Sequence, residues 1–186
     1  MIIVTDTGSD ILEWEAKEMG VTLVPICSNF EDVIFRHNTE ENFQAFYRKL
    51  RESEELPVSS QPSPACFLEI YEKAREQGEE VLVITISSKL SGTYNGALLA
   101  KDMAEYDPIY VIDSLQASLS ERMLVEYAVR LKDAGNATEE IAKKLEDARE
   151  RIFLTGVPES LLYLKKGGRI SLVVAAVGGE NGIKPG

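Results

Sequence analysis

Residues 81–97 read "VLVITISSKLSGTYNGA", and the fold turns on how that stretch is parsed. An apolar run from Val81 to Ile86 stops abruptly in Ser87 and Ser88. A Ser91-Gly92-Thr93 step then leads into what reads as a helix continuing through "YNGALLAKDMAEY". A run that is apolar throughout, not alternating, belongs to a strand buried on both faces. The small, hydroxyl-rich connection has two readings. In one, Ser91 caps the helix and Gly92 only turns the chain. In the other, Gly92 lets the backbone approach closely and the unpaired N–H groups of the helix start hold something small and negative.

Working outward, "MIIVTD", "VTLVPICS", "IYVID" and "RIFLTG" join this run to make five expected strands, with helical patterns between them. Phe43, Phe46, Tyr47 and Leu50 recur at i, i+3, i+4 and i+7, as do Phe67, Ile70, Tyr71 and Ala74, and again Leu124, Tyr127, Ala128 and Leu131. Thr138 is expected to cap "EEIAKKLEDA", with Ile141, Leu145 and Ala148 facing inward, and Gly135 to end the helix before it. Apolar strands alternating with helices predict an α/β fold, a mostly parallel sheet covered by helices on both faces. "RESEELPVSSQPSP" reads as a loop in which the two prolines of "SSQPSP" restrict the backbone while three hydroxyls and an amide stay available.

The 186 residues suffice for one domain or for one and part of another, and 44% hydrophobic with 27% charged residues is an ordinary soluble composition. A net charge of −11 argues against nucleic acid or an anionic membrane as partner. No basic leader and no long apolar segment stand out, so the expectation is a cytoplasmic protein without a stable membrane anchor. Cys27 and Cys66, both in apolar surroundings, read as reduced core residues.

In open parallel sheets ligands bind beyond the carboxyl ends of the strands, and here those ends run into "TDTGSD", "SSKLSGT" and "DSLQAS". Familiar catalytic patterns fail. No nucleotide fingerprint is present, Ser91 sits in no G-x-S-x-G elbow, and the lone His37 reads as a surface residue. Asp6, Asp10 and Asp113 would suit a Mg²⁺-dependent phosphohydrolase or phosphotransferase, but Gly8 removes the D-x-D arrangement. Those aspartates are expected instead to accept hydrogen bonds in the strand-end loops. In "LLYLKKGGRIS", Lys165 and Lys166 complement a helix C-terminus, while Arg169 after two glycines presents a guanidinium suited to a carboxylate or phosphate.

Together, "VTDTGSD" at 4–10, "SSQPS" at 59–63, "ISSKLSGTY" at 86–94, "VIDS" at 111–114 and "LKKGGRIS" at 164–171 resemble the DegV family of bacterial fatty-acid-binding proteins. "LSGTY" with "KGGRIS" is the specific part. The resemblance implies two α/β lobes with a long-chain fatty acid between them, residues 1–157 forming the N-terminal lobe and 158–186 the start of an incomplete second one. It implies that Ser59, where the family has threonine, and Ser91 hold the carboxylate. Ser60, Gly92, Thr93, Asp113 and Ser114 would lie in supporting loops, and Arg169 would serve the ligand's polar end or its hand-over. It also implies a lipid carrier with no catalytic residue, metal or cofactor, one that can present its acid to the ATP-binding subunit of a fatty acid kinase. His37 stands where the family usually has aspartate. Family chains continue past the equivalent of "GIKPG", so the expectation is a fragment, a truncated product, in one reading folded but binding nothing, or a reduced variant.

Overall fold

A computed structural model describes residues 1–36, 39–155, 164–165 and 167–169. Its centre is a four-stranded parallel sheet of β1 (Ile2–Asp6), β2 (Val21–Val24), β6 (Val81–Thr85) and β7 (Ile109–Asp113), in the order β2-β1-β6-β7. Side chains alternate along β6 in the way a doubly covered sheet requires. Leu82 and Ile84 pack with Leu124, Val125, Ile141 and Leu145 from α5 (Leu119–Asp133) and α6 (Thr138–Arg149). Val81 and Val83 face Phe67, Tyr71, Ala97 and Ala100 from α3 (Pro64–Gln77) and α4 (Thr93–Ala104). All these side chains are fully buried, and α1 (Glu13–Met19) adds Ala16 to the first layer.

A second, antiparallel sheet was not apparent in the sequence. β3 (Cys27–Asn29) lies between β4 (Ile34–Arg36) and β5 (Val58–Ser60). Three expectations change with it. "VTLVPICS" is two strands, because Pro25 has no N–H to donate and the chain leaves the large sheet there. The start of "SSQPSP" is not loop but β5, with Ser59 opposite Ser28. Cys27 and Cys66 are free but only half-buried, Cys66 near the Ser63 hydroxyl at 3.4 Å. Helix α2 (Glu40–Glu52) lies beside this sheet, its N-terminus capped where the Thr39 hydroxyl accepts the Asn42 N–H. Phe30, Phe35 and Phe46 join the helix and the small sheet, with ring centroids 5.8–6.1 Å apart.

Two further readings are corrected. "RIFLTG" forms no strand over its described residues 151–155; the Gln116 amide donates to the Arg149 carbonyl at the end of α6 and to the Ile152 carbonyl that a strand would use. Thr138 is the first helical residue of α6 and not its cap; its hydroxyl bonds the Glu80 carboxylate, and Ala137 holds the cap position. Gly135 does follow α5 in the left-handed region, at φ +80°. Most of the expected second lobe, 158–186, lies outside the described residues.

Candidate functional site

Leaving β1 the chain turns towards β2, and leaving β6 it turns the other way, towards β7. Their carboxyl ends therefore flank the switch point where such sheets bind ligands. Asp6 ties the two ends together. It is fully buried, one carboxylate oxygen accepting the Gly8 N–H and the other the Ile86 N–H, both at 2.8 Å. Asp113 does the same next door, accepting from Ser88 N at 3.0 Å and Leu115 N at 3.1 Å. The Asp10 carboxylate takes the Ser118 hydroxyl, and Ser118 N donates to Gly8 O at 2.7 Å. Asp10, Leu115 and Ser118 all have positive φ near +55°, so these loops keep conformations disfavoured for their side chains, as ligand sites often do. The aspartates thus shape the loops, as expected from the sequence. Among the described residues, no group of three or more His, Cys, Asp or Glu gathers as a metal site would need.

Over the switch point opens a cavity of about 690 Å³. Thr7, Gly8 and Asp10 line it from the end of β1, Ile86 and Ser88 to Gly92 from the end of β6, Ser59 to Gln61 from the end of β5, and Arg169 from beyond α6. Ile26, Phe43 and Leu164 add apolar wall. A recess of about 360 Å³ shares Ser59, Leu164 and Arg169 with it and is lined by Phe46, Leu50, Leu56, Pro57 and Val58. Helix α2 carries four apolar residues on one face and buries none of them fully, because much of that face is wall to these two spaces. A lining of hydroxyls, the cations Lys89 and Arg169 against the one carboxylate of Asp10, and aliphatic and aromatic walls suits an amphipathic anion.

The model of the family described as "Uncharacterised protein, DegV family" matches residues 1–185. The chain belongs to the DegV family. A DegV domain-containing protein of Caldanaerobacter subterraneus is 37% identical over 183 residues, covering 98% of this chain and 65% of that protein. A solved structure from Thermus thermophilus, described as fatty acid binding of a DegV family protein, superposes with a TM-score of 0.85 at 34% identity, covering 99% of this chain and 65% of that one. A stearic acid-binding protein of Eubacterium ventriosum superposes at 0.82 with 30% identity, over 100% and 66%. The chain thus spans about 65% of the length of the DegV relatives it matches.

In this DegV chain the motif residues divide into those that line the cavity and those that support it. Ser59, Ser60, Ser91, Gly92 and Arg169 line it. Thr93, Asp113 and Ser114 do not: all three are buried behind it. Thr93 holds Ser91, their hydroxyls 2.8 Å apart and the Thr93 N–H donating to Ser91 Oγ at 3.3 Å. Ser91 is therefore not the helix cap expected from sequence; Gly92 occupies that position. Ser60 accepts the Asn29 side-chain N–H at 3.0 Å, which leaves Ser59 the less engaged hydroxyl of its strand. Arg169 follows Gly168 at φ +73°, and its guanidinium bonds the Gly167 carbonyl. His37, Leu161, Leu162 and Lys166 lie outside the described residues. Several lining residues carried no site role in the sequence, among them Lys89; the Gln61 amide stood out only as available, and Phe43 only as part of a helical repeat.

Proposed function

We propose that this chain binds a long-chain fatty acid, its carboxylate against Ser59 and Ser91 and its acyl chain along the apolar walls. The observation that carries the proposal is the meeting of three separate segments, at 59–61, 88–92 and 169, around one cavity lined by hydroxyls and by apolar side chains. Ser91 Oγ accepts the Thr93 N–H and lies 2.8 Å from the Thr93 hydroxyl; with that hydroxyl donating as well, the Ser91 O–H is left for an acceptor such as a carboxylate. Apolar burial supplies most of the affinity, about 0.8 kcal/mol per CH₂ removed from water. Relatives matched along this whole chain are described as binding fatty acids, one of them stearic acid, which supports the same ligand class here.

Arg169 then serves the polar end of the bound acid. Its planar fork suits a carboxylate, and equally the phosphoryl group that a partner kinase subunit would attach. In this reading the chain carries and presents the acid while catalysis belongs to the partner. The test is organic extraction of the purified protein followed by mass spectrometry. Long-chain fatty acids in stoichiometric amount are the expected result. A protein that emerges free of lipid, takes up no added fatty acid and instead turns over a phosphate ester with Mg²⁺ would overturn the proposal.

A further inference from the structure

We propose that Gln61 is the specificity-determining contact of this cavity, a neutral amide that admits an ionised headgroup, and that Gly92 is glycine in order to seat it. The proposal rests on the fatty-acid reading above and adds the residue that selects the acid over a neutral lipid.

Gln61 follows β5 directly, and its side chain reaches across to the start of α4. A Cβ placed on Gly92 would fall 2.0 Å from Gln61 Oε1 and 2.9 Å from its Cδ, while one on Gly96 would lie 3.9 Å from Nε2. The amide therefore lies over the first turn of α4. Gly92 has φ −78°, which any residue adopts, so the glycine answers to the approach of Gln61 and not to backbone conformation. Oε1 is the atom nearest a Cβ on Gly92 and Nε2 follows at 3.1 Å, so the whole amide lies over the positive end of the helix dipole.

Among the described residues the Gln61 amide makes no hydrogen bond to the protein, although it lines the cavity with Ser59, Ser60 and Ser91. The group is exposed and its donors stay unused. A carboxylate only accepts hydrogen bonds, so an NH₂ in a cavity that also carries the Ser59 and Ser91 hydroxyls matches it. A carboxylate at position 61 would instead set like charges against each other, while leaving an alcohol headgroup a good acceptor for its O–H.

The experiment compares a fluorescent fatty acid with the fatty alcohol of the same chain in displacement titrations at neutral pH. Gln61→Glu should weaken the acid at least about tenfold while changing the alcohol by about threefold or less, because repulsion acts on the charged headgroup alone. The Gly92 contact is tested by a double-mutant cycle. Gly92→Ala should weaken the acid about as much as Gln61→Ala does, and should have little further effect in the Gln61→Ala background, where its methyl meets no amide. A Gln61 that merely packed would lower the melting temperature and leave the acid-to-alcohol ratio unchanged; that result overturns the assignment. Wild-type protein that binds neither lipid overturns the fatty-acid reading itself, and this inference with it.

Discussion

Thr93 is fully buried, and its N–H and hydroxyl both lie against Ser91 Oγ. With the Thr93 hydroxyl and N–H both donating to Ser91 Oγ, the Ser91 proton is left for a ligand in the cavity that Ser91 lines. A hydrogen bond to a charged group is worth about 1.5–3 kcal/mol, so Ser91→Ala should weaken fatty acid binding by roughly ten- to a hundredfold. Ser59→Ala should act similarly and Ser59→Thr should be tolerated, since the hydroxyl survives. Thr93→Val keeps the shape of the side chain and removes only the second hydroxyl, so its loss should be smaller than that of Ser91→Ala. Titration of a fluorescent fatty acid into each variant, with circular dichroism to confirm folding, checks the series. Unchanged affinity in a folded Ser91→Ala protein would remove Ser91 from the site. The two serines were picked out through motifs that resemble the DegV pattern, and both line the cavity. The seat of Gln61 on Gly92 was not legible in the sequence, because it depends on two loops, 31 residues apart in number, meeting only after both sheets have formed.

The long elements were written plainly in the sequence. Doubly buried strands leave unbroken apolar runs, and α3, α5 and α6 leave three-and-four spacings. The small sheet was not, since "CSN" and "VSS" are three residues each and carry no apolar alternation. Such strands exist because β3 finds partners on both sides, which local sequence does not reveal. "RIFLTG" failed in the opposite sense. It has strand-like residues, yet Gln116 takes two nearby carbonyls and Phe153 is left 87% exposed. The 3₁₀ turn at Thr7–Ser9 is a tight element of the site itself. A Cβ on Gly8 would stand 2.7 Å from Asp6 Oδ1 and 3.0 Å from the Ile86 side chain, within a junction that joins two strands. Gly8→Ala should therefore cost about 1–3 kcal/mol, the usual penalty for forcing atoms into a packed site. Urea unfolding would read this as a lower midpoint with unchanged slope. A midpoint equal to wild type would mean that the turn yields without loss.

Across the whole molecule, the −11 net charge hides a local concentration of acids behind the cavity. Asp6 and Glu121 are fully buried, and Asp10 lies beside them. Burial pushes Asp6 up to about 6 even though the Ile86 and Gly8 N–H groups pull it down. Glu121 is raised well above the usual range by burial, then by the neighbouring Asp6 charge, with Thr5 opposing and Asp10 adding. One Glu121 oxygen accepts the Thr5 hydroxyl at 3.2 Å and the other has no partner among the described residues. The native state therefore keeps protons on these groups at pH values where the unfolded chain has released them. Stability falls as pH rises wherever the folded state binds more protons. For Asp6 the contribution is complete below an ordinary aspartate pKa of about 3.9 and is lost as pH climbs through about 6; Glu121 carries the same sign to higher pH. Glu15, Asp32, Glu79 and Glu139 are shifted down by ion pairs and act in the opposite sense, but near the surface, where screening leaves them little weight. The protein should consequently melt higher at pH 5 than at pH 8. Glu121→Gln removes the buried titration and keeps an oxygen for Thr5, so it should raise the melting temperature at pH 8, by roughly 2–4 °C per kcal/mol recovered, and change it little at pH 5. Asp6→Asn is the contrasting variant. The Gly8 and Ile86 N–H groups meet different oxygens, so an amide would set its NH₂ against one of them and should destabilise at either pH. Thermal melts of the three proteins at both pH values decide the matter, and a Glu121→Gln shift of the same size at pH 5 and pH 8 would mean that packing, not proton linkage, governs this cluster.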